Sequence, residues 1–539
     1  MFVTVTVTVY YLVYYLSGRR LRQWPVLLAA NIFFYLYASY KYALFIVFTI
    51  ATIYIAAIKI ADNESARKAE VKAQKGVWSR EEKKAFNERA ERKNRRILAI
   101  TLIANFGILV FLKYWNFLAG GLSDIIYTLT GNASGPVNLT VGGLFLPLGI
   151  SFYTFQATGY IIDVYRGQAE AERNPLKFAL FVSFFPQIIQ GPISEFSQLE
   201  HQLTEQHSLS FRNVKLGMER ILWGLFKKLI IADKVAPVIT DITGDYTSYR
   251  GSTILLVSLL YALQLYADFS GGMDISLGVA KTMGIDMTEN FRRPYFSKSI
   301  GEYWRRWHIT LGAWMKKYIF YSLAMSESFL NASRRMGKSR FGQTAAGAHV
   351  AKVLPTAFAS FVVFLAVGLW HGANSKYLAF GVWNGAIIMI SELLRPLYDK
   401  GLKFCHINPS SFLWRCFQMA RTFVLVLIGY FFDIAPSFTG AMDMMKRAVS
   451  DANIMAGIHQ LLELGYGSRI FAECFYGAML LWIVSIITEK HKADNPAEWL
   501  EKTPLVFQWI TLFVVIMSVA LFGAYGPGYD ATEFVYMQF

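Results

Sequence analysis

Two histidines stand where their neighbours could make them reactive. His308 lies in GEYWRRWHITLGAWMKKYIF (301–320), directly behind Arg305 and Arg306 and among Trp304, Trp307 and Trp314. His371 closes the apolar stretch of LPTAFASFVVFLAVGLWHGAN (354–374), with Trp370 before it, Gly372 after it, and Asn374 and Asn384 as nearby polar side chains. Imidazole exchanges a proton near neutral pH, so either residue suits general-base work, and Trp-rich walls keep water out of such a step. If 301–317 is one helix, Trp304 and Gly312 share a face with His308. His308 then lines an entry to which Arg305 and Arg306 draw an anionic substrate. Each pattern also has a plainer reading. The first is equally an aromatic and basic anchor at a lipid interface; the second, a lone histidine on an apolar helix, is more often a hydrogen-bonded packing residue, and its Trp, Gly and Asn setting is what raises the functional reading.

A third candidate set is YALQLYADFSGGMDISLGVAKTMGIDMTENFRRPYFS (261–297), where Asp268 and Asp274 flank Ser270, Gly271 and Gly272. Carboxylates inside an apolar run cost roughly 2.5–3.5 kcal/mol each on insertion scales and need a reason. The local reading is a helix break in which the two aspartates cap backbone amides and glycine admits a second backbone. A direct chemical role for Asp268 and Ser270 is the sharper alternative.

These residues must be held by membrane helices. The 539-residue chain is 54% hydrophobic, 16% aromatic and only 17% charged, against about 25% charged in a soluble domain. Apolar runs of bilayer length, roughly 17 to 25 residues, fall near 97–117, 144–162, 253–267, 354–370, 412–433, 470–488 and 503–523, with further crossings in 2–16 and 25–58. The expected fold is an all-α integral membrane bundle of about a dozen helices in the cell membrane. A net charge of +16 follows from the positive-inside rule, and no nucleic-acid partner is expected. The lipid bilayer is the first partner. Cys405, Cys416 and Cys474 have neither metal nor redox spacing, and no H-x-x-x-H pair appears, so no metal site is expected.

Charge also assigns sides. The insert 61–96 carries twelve Lys or Arg against seven Asp or Glu and reads as a solvated cytoplasmic helix or hairpin. The basic 281–317 and 334–352 stretches read as cytoplasmic, and the Gly, Ser, Asn and Thr-rich 119–143 connection, which lacks Lys and Arg, as an outside loop. Segments 178–193 and 216–232 mix polar with apolar residues, and one of them is expected to be re-entrant or to lie along the surface. The organisation expected is N-terminal helices (1–60), the charged insert (61–96), a catalytic core (97–395) and C-terminal helices (396–539).

Several stretches taken in order, FFPQIIQGPI, YADFSGGMDISLGVA…ENFRRPY, YWRRWHITLGAWMKKYIF and GLWHGAN, resemble the membrane-bound O-acyltransferases, and within them the bacterial alginate O-acetylation subgroup. Teichoic acid D-alanyl transfer proteins are more distant. The similarity is strong over about 140–395, and the C-terminal EFVYMQF is similar to the subgroup's ending. The resemblance implies helices around a central funnel or tunnel, a catalytic His371 and a second site residue at His308. Trp304, Arg305, Arg306, Trp307, Trp370, Asn374, Asp268 and Ser270 would line the tunnel or the donor site. It also implies an acyl thioester donor, acetyl-CoA above all, with no bound cofactor, and a cell-surface polysaccharide acceptor reached through an extracytoplasmic SGNH-hydrolase-like or tethered partner protein. The stretch KKYIF (316–320) departs from the W-L-R-D-Y of the alginate subgroup, so the motifs carry the acyltransferase class and leave the acceptor open between O-acetylation and D-alanyl transfer. A proton-coupled transporter would use intramembrane Asp268, Asp274 and His371 as a relay, but expects internal repeats, which the chain does not show.

Overall fold

The computed structural model describes residues 1–18, 20–129, 139–141, 146–451 and 453–526, without the side chain at 124. Of the expected outside loop 119–143, residues 119–129 are not loop but the end of the Arg80–Leu129 helix, and 130–138 and 142–143, like the C-terminal EFVYMQF, lie outside the described residues. The described residues form helices and connections with no strand. Among the described residues, seven helices are long and apolar enough to cross a bilayer, or eight if the Ser375–Leu393 and Arg395–Phe404 pair, bent by 63°, counts as one span. The all-α membrane class is therefore as the composition indicates.

The chain divides into two compact units. The first comprises Met1–Gly217 with Ser276–Thr288. Within it the charged insert is a hairpin: Ala43–Ala73 runs out of its apolar half into the charged half, and Arg80–Leu129 returns. Arg67 reaches Asn87 (2.6 Å), and Asn63 bonds Asn94 (2.9 Å) across the pair. The FFPQIIQGPI stretch is not a single crossing. Asn174 caps Pro175–Ser183, Phe184 is extended, and Phe185–Gln190 is a short helix. Pro186 has no N–H to continue the earlier ladder, and the buried Asn31 side chain fills the break, accepting from Phe185 N (3.0 Å) and donating to Ser183 Oγ (3.3 Å). The stretch is thus a broken, buried segment.

The second unit comprises Met218–Ile275 with Glu289–Phe539 and carries both histidines. The other awkward stretch begins as Phe211–Phe226, widens to a π-helical turn at Lys227–Ala232, and continues as Asp233–Gly244. It packs so closely on the Gly251–Thr282 helix that a Cβ on Gly224 would lie 2.5 Å from the Gly271 carbonyl oxygen. The glycines thus admit a second backbone as expected, but the helix break does not occur: Gly251–Thr282 runs unbroken through Ser270, Gly271 and Gly272. Asp268 and Asp274 bind lysines on the π-helical turn instead of capping amides.

His371 is the last residue of Ala345–His371, a helix capped by Thr344 through Gly347 N (3.0 Å). The following Ser375–Leu393 helix folds back against it where Gly368 and Gly381 leave no room for a Cβ. Gly372 and Asn374 make the reversal, Asn374 Oδ1 accepting from Lys376 N (3.1 Å).

Candidate active site

The expected continuous helix over 301–317 is interrupted at the residue of interest. Ile300–Arg306 ends, Trp307 is extended, and His308 takes a left-handed conformation (φ 46°) before Ile309–Met315 begins. A non-glycine residue held there costs about 1–3 kcal/mol and persists where its surroundings over-determine it. Here two backbone hydrogen bonds do so, Arg292 N to the Arg306 carbonyl (2.9 Å) and Ile309 N to the Asn290 carbonyl (3.0 Å). They lay the ENFRRPY stretch beside WRRWH, so two separate motifs form one structure. Trp304 consequently leaves the face of His308 and donates Nε1–H to Asn384 Oδ1 (3.0 Å).

His308 is 3% exposed. Burial first, and the nearby His371 second, push its pKa down to about 3, so it is neutral at physiological pH. Its ring meets Phe269 edge to face (4.9 Å) and Trp370 at 6.2 Å, and Trp370 meets His371 at 5.1 Å. One tryptophan therefore bridges the two histidines. His371 also lies against Tyr377 (6.1 Å, stacked) and Phe380 (5.3 Å). Trp307 closes the wall with Phe291 and Tyr303. Such an enclosure can hold an apolar acyl thioester away from water while leaving imidazole nitrogens for proton transfer.

The remaining expected residues divide. Arg305 is exposed. Arg306 is taken up by Glu302 (2.8 Å) and Glu489 (3.0 Å), and Arg293 shares Glu489 at 2.6 Å. Asp268 receives Lys228 (2.7 Å), which also binds Asp233 (2.8 Å). Ser270 accepts from Lys227 Nζ (2.8 Å), which binds Asp274 (2.6 Å). Ser270 lines a pocket with Arg220, Lys227, Asp274, Glu289 and Asn290. Asn374 and Asn384, expected to partner His371, serve as a helix cap and as the acceptor for Trp304. No group of three or more His, Cys, Asp or Glu residues that could hold a metal occurs among the described residues.

Sequence reasoning overlooked Asn290, Lys227, Tyr377 and Phe380 as site residues. Asn290 stood inside a quoted motif and Lys227 inside an apolar helix; either oddity was a usable signal.

A profile of the membrane-bound O-acyltransferase family matches residues 171–337, which include His308. "Probable alginate O-acetylase AlgI" of Pseudomonas syringae pv. tomato is 32% identical over 418 residues, covering 77% of this chain and 68% of its own. The protein of the same name from Pseudomonas aeruginosa is 31% identical over 452 residues, 84% of this chain and 73% of its own. A "Peptidoglycan O-acetyltransferase" of Helicobacter pylori is 28% identical over 545 residues, 93% and 90% of the two chains. The chain belongs to the membrane-bound O-acyltransferase family. It is a multi-pass membrane enzyme of the O-acyltransferase class.

Proposed function

We propose that this enzyme moves an acetyl group from a cytoplasmic thioester, acetyl-CoA, across the membrane to an extracytoplasmic hydroxyl, for O-acetylation of a cell-surface polysaccharide. His371 takes the proton of the attacking hydroxyl as its oxygen bonds the acetyl carbon. The C–S bond then breaks, the thiolate leaves and is protonated, and an O-acetyl ester forms. His308, neutral and buried, donates to the oxygen that becomes negative in the tetrahedral intermediate, a term that typically contributes about 10²–10³-fold. Trp304, Trp307 and Trp370 line the path, and Arg305, exposed near its start, meets the anionic donor. The observation that carries the reading is that both histidines contact Trp370, His308 at 6.2 Å and His371 at 5.1 Å, within an aromatic enclosure. The names of the relatives support acetyl as the group and a surface polymer as its destination.

The aromatic surroundings of His371, Trp370, Tyr377 and Phe380, suit a serine or tyrosine side chain of a secreted or tethered SGNH-hydrolase-like partner better than a sugar chain, and the acetyl group passes through that partner. Purified enzyme in proteoliposomes, given radiolabelled acetyl-CoA on the side of the 61–96 insert and polysaccharide on the other, should label the polymer only when the partner is added. Efficient labelling without it would overturn the relay, and no labelling with both present would overturn the acetyl assignment.

A further inference from the structure

We propose that Asn290 is a positioning residue that fixes His308 as the tautomer with an unprotonated Nδ1 and a hydrogen on Nε2. Both atoms of the Asn290 amide lie near Nδ1, Nδ2 at 3.1 Å and Oδ1 at 3.3 Å. Thr310 decides which of them is used. Its backbone N–H and its hydroxyl both donate to Asn290 Oδ1, each at 2.9 Å. A backbone N–H is an obligate donor, so the end of the amide beside Thr310 must be the oxygen, and two donors take up its two lone pairs. The nearer Nδ2 then faces His308 Nδ1 and can only donate. A neutral imidazole that accepts at Nδ1 carries its hydrogen on Nε2. The Asn290 carbonyl also receives Ile309 N (3.0 Å), so the residue that sets the tautomer helps hold the left-handed turn as well.

The catalytic consequence rests on the proposed role of His308: the Asn290 contact makes it an N–H donor throughout the reaction and leaves base work to His371. Of the charged groups on the elements around His308, Arg305 is exposed, and Arg306 binds Glu302 and Glu489. Asp274 binds Lys227 and Arg220, and Asp268 binds Lys228. Glu289 binds Arg220, Arg292 binds Asp494, and His371 is the titratable neighbour that bears on the ring.

Asn290→Asp keeps the shape and reverses the instruction. A carboxylate accepts from Nδ1–H, so His308 becomes an imidazolium, which still has Nε2–H, or a neutral ring without it as pH rises. The expected result is a kcat lower by about 10²–10³-fold at mildly alkaline pH, partly recovered at mildly acidic pH, with KM for acetyl-CoA little changed. The direct readout is nitrogen-15 NMR of histidine-labelled enzyme in nanodiscs, with His308 identified by its loss in His308→Gln. Wild type should show a pyridine-type Nδ1 and a pyrrole-type Nε2, and Asn290→Asp a protonated Nδ1. A protonated Nδ1 in wild type overturns the proposal without any variant. So does an Asn290→Asp loss that is equal at every pH with the tautomer unchanged. A tautomer that switches while the rate stays unaltered leaves the Asn290 assignment standing and removes His308 from the proposed chemistry.

Discussion

Removing the carboxylate of Asp274 should destabilise the second unit far more than removing the lysine it binds. Lys227 has a side chain only 3% exposed, held by Asp274 (2.6 Å) and by the Ser270 hydroxyl (2.8 Å). Arg220 binds Asp274 at 3.0 Å but also holds Glu289 through two bonds of 2.5 and 2.6 Å. In Asp274→Asn, Arg220 keeps a carboxylate and Lys227 keeps none. An uncompensated buried charge costs about 3–5 kcal/mol. A ceiling comes from deprotonation: bringing a lysine from about 10.4 to neutral pH costs about 1.36 kcal/mol for each of roughly 3.4 units, near 4.6 kcal/mol. In Lys227→Met, Asp274 keeps Arg220, and the loss is that of one charged hydrogen bond, about 1.5–3 kcal/mol. The double variant removes both charges, so its cost should fall below that of Asp274→Asn alone, with a coupling of about 2–3 kcal/mol. Apparent unfolding free energies in a mild detergent, from titration with a denaturing one, would give all four corners of the cycle. Equal single losses, or a double loss equal to their sum, would refute the ion-pair account.

Three further outcomes follow from particular contacts. A Cβ at Gly372 would come within 2.6 Å of the Tyr377 ring that stacks on His371; Gly372→Ala should lower kcat about tenfold or more while shifting Tm little, and an unchanged kcat would count against a placed His371. Because His308 is held near 3 against about 6.5 when unfolded, the unfolded chain binds the extra proton between those values. The stability it contributes is complete above about 6.5 and is lost as pH falls towards 3, so His308→Gln should show a shallower fall in Tm over mildly acidic pH than wild type; parallel curves would contradict this. Cysteines placed in 61–96 and 324–352 should resist an impermeant label in intact cells, and labelling there would overturn the cytoplasmic assignment.

The membrane class was legible because apolar runs and sparse charge are properties of composition, and His308 and His371 stood out because polar residues in such runs need a reason. What the sequence concealed depends on partners distant in the chain. Asp274 and Asp268 lie 47 and 40 residues from the lysines that neutralise them, and read alone they suggested a helix break. His308 fits helical periodicity, yet the backbone segments at 290–292 and 306–309 bond each other and force it left-handed. Asn374 and Asn384 looked like partners for His371 because they were close in sequence; the reversal after Gly372 turns one into a cap and the other towards Trp304.

The most direct test of the account is acetyl transfer in a single turnover by His371→Ala, in proteoliposomes holding equal amounts of folded wild-type and variant enzyme. If His371 is the base, transfer to the acceptor hydroxyl should fall by about 10²–10⁴-fold while donor binding stays the same. Transfer by the variant at close to the wild-type rate would contradict it.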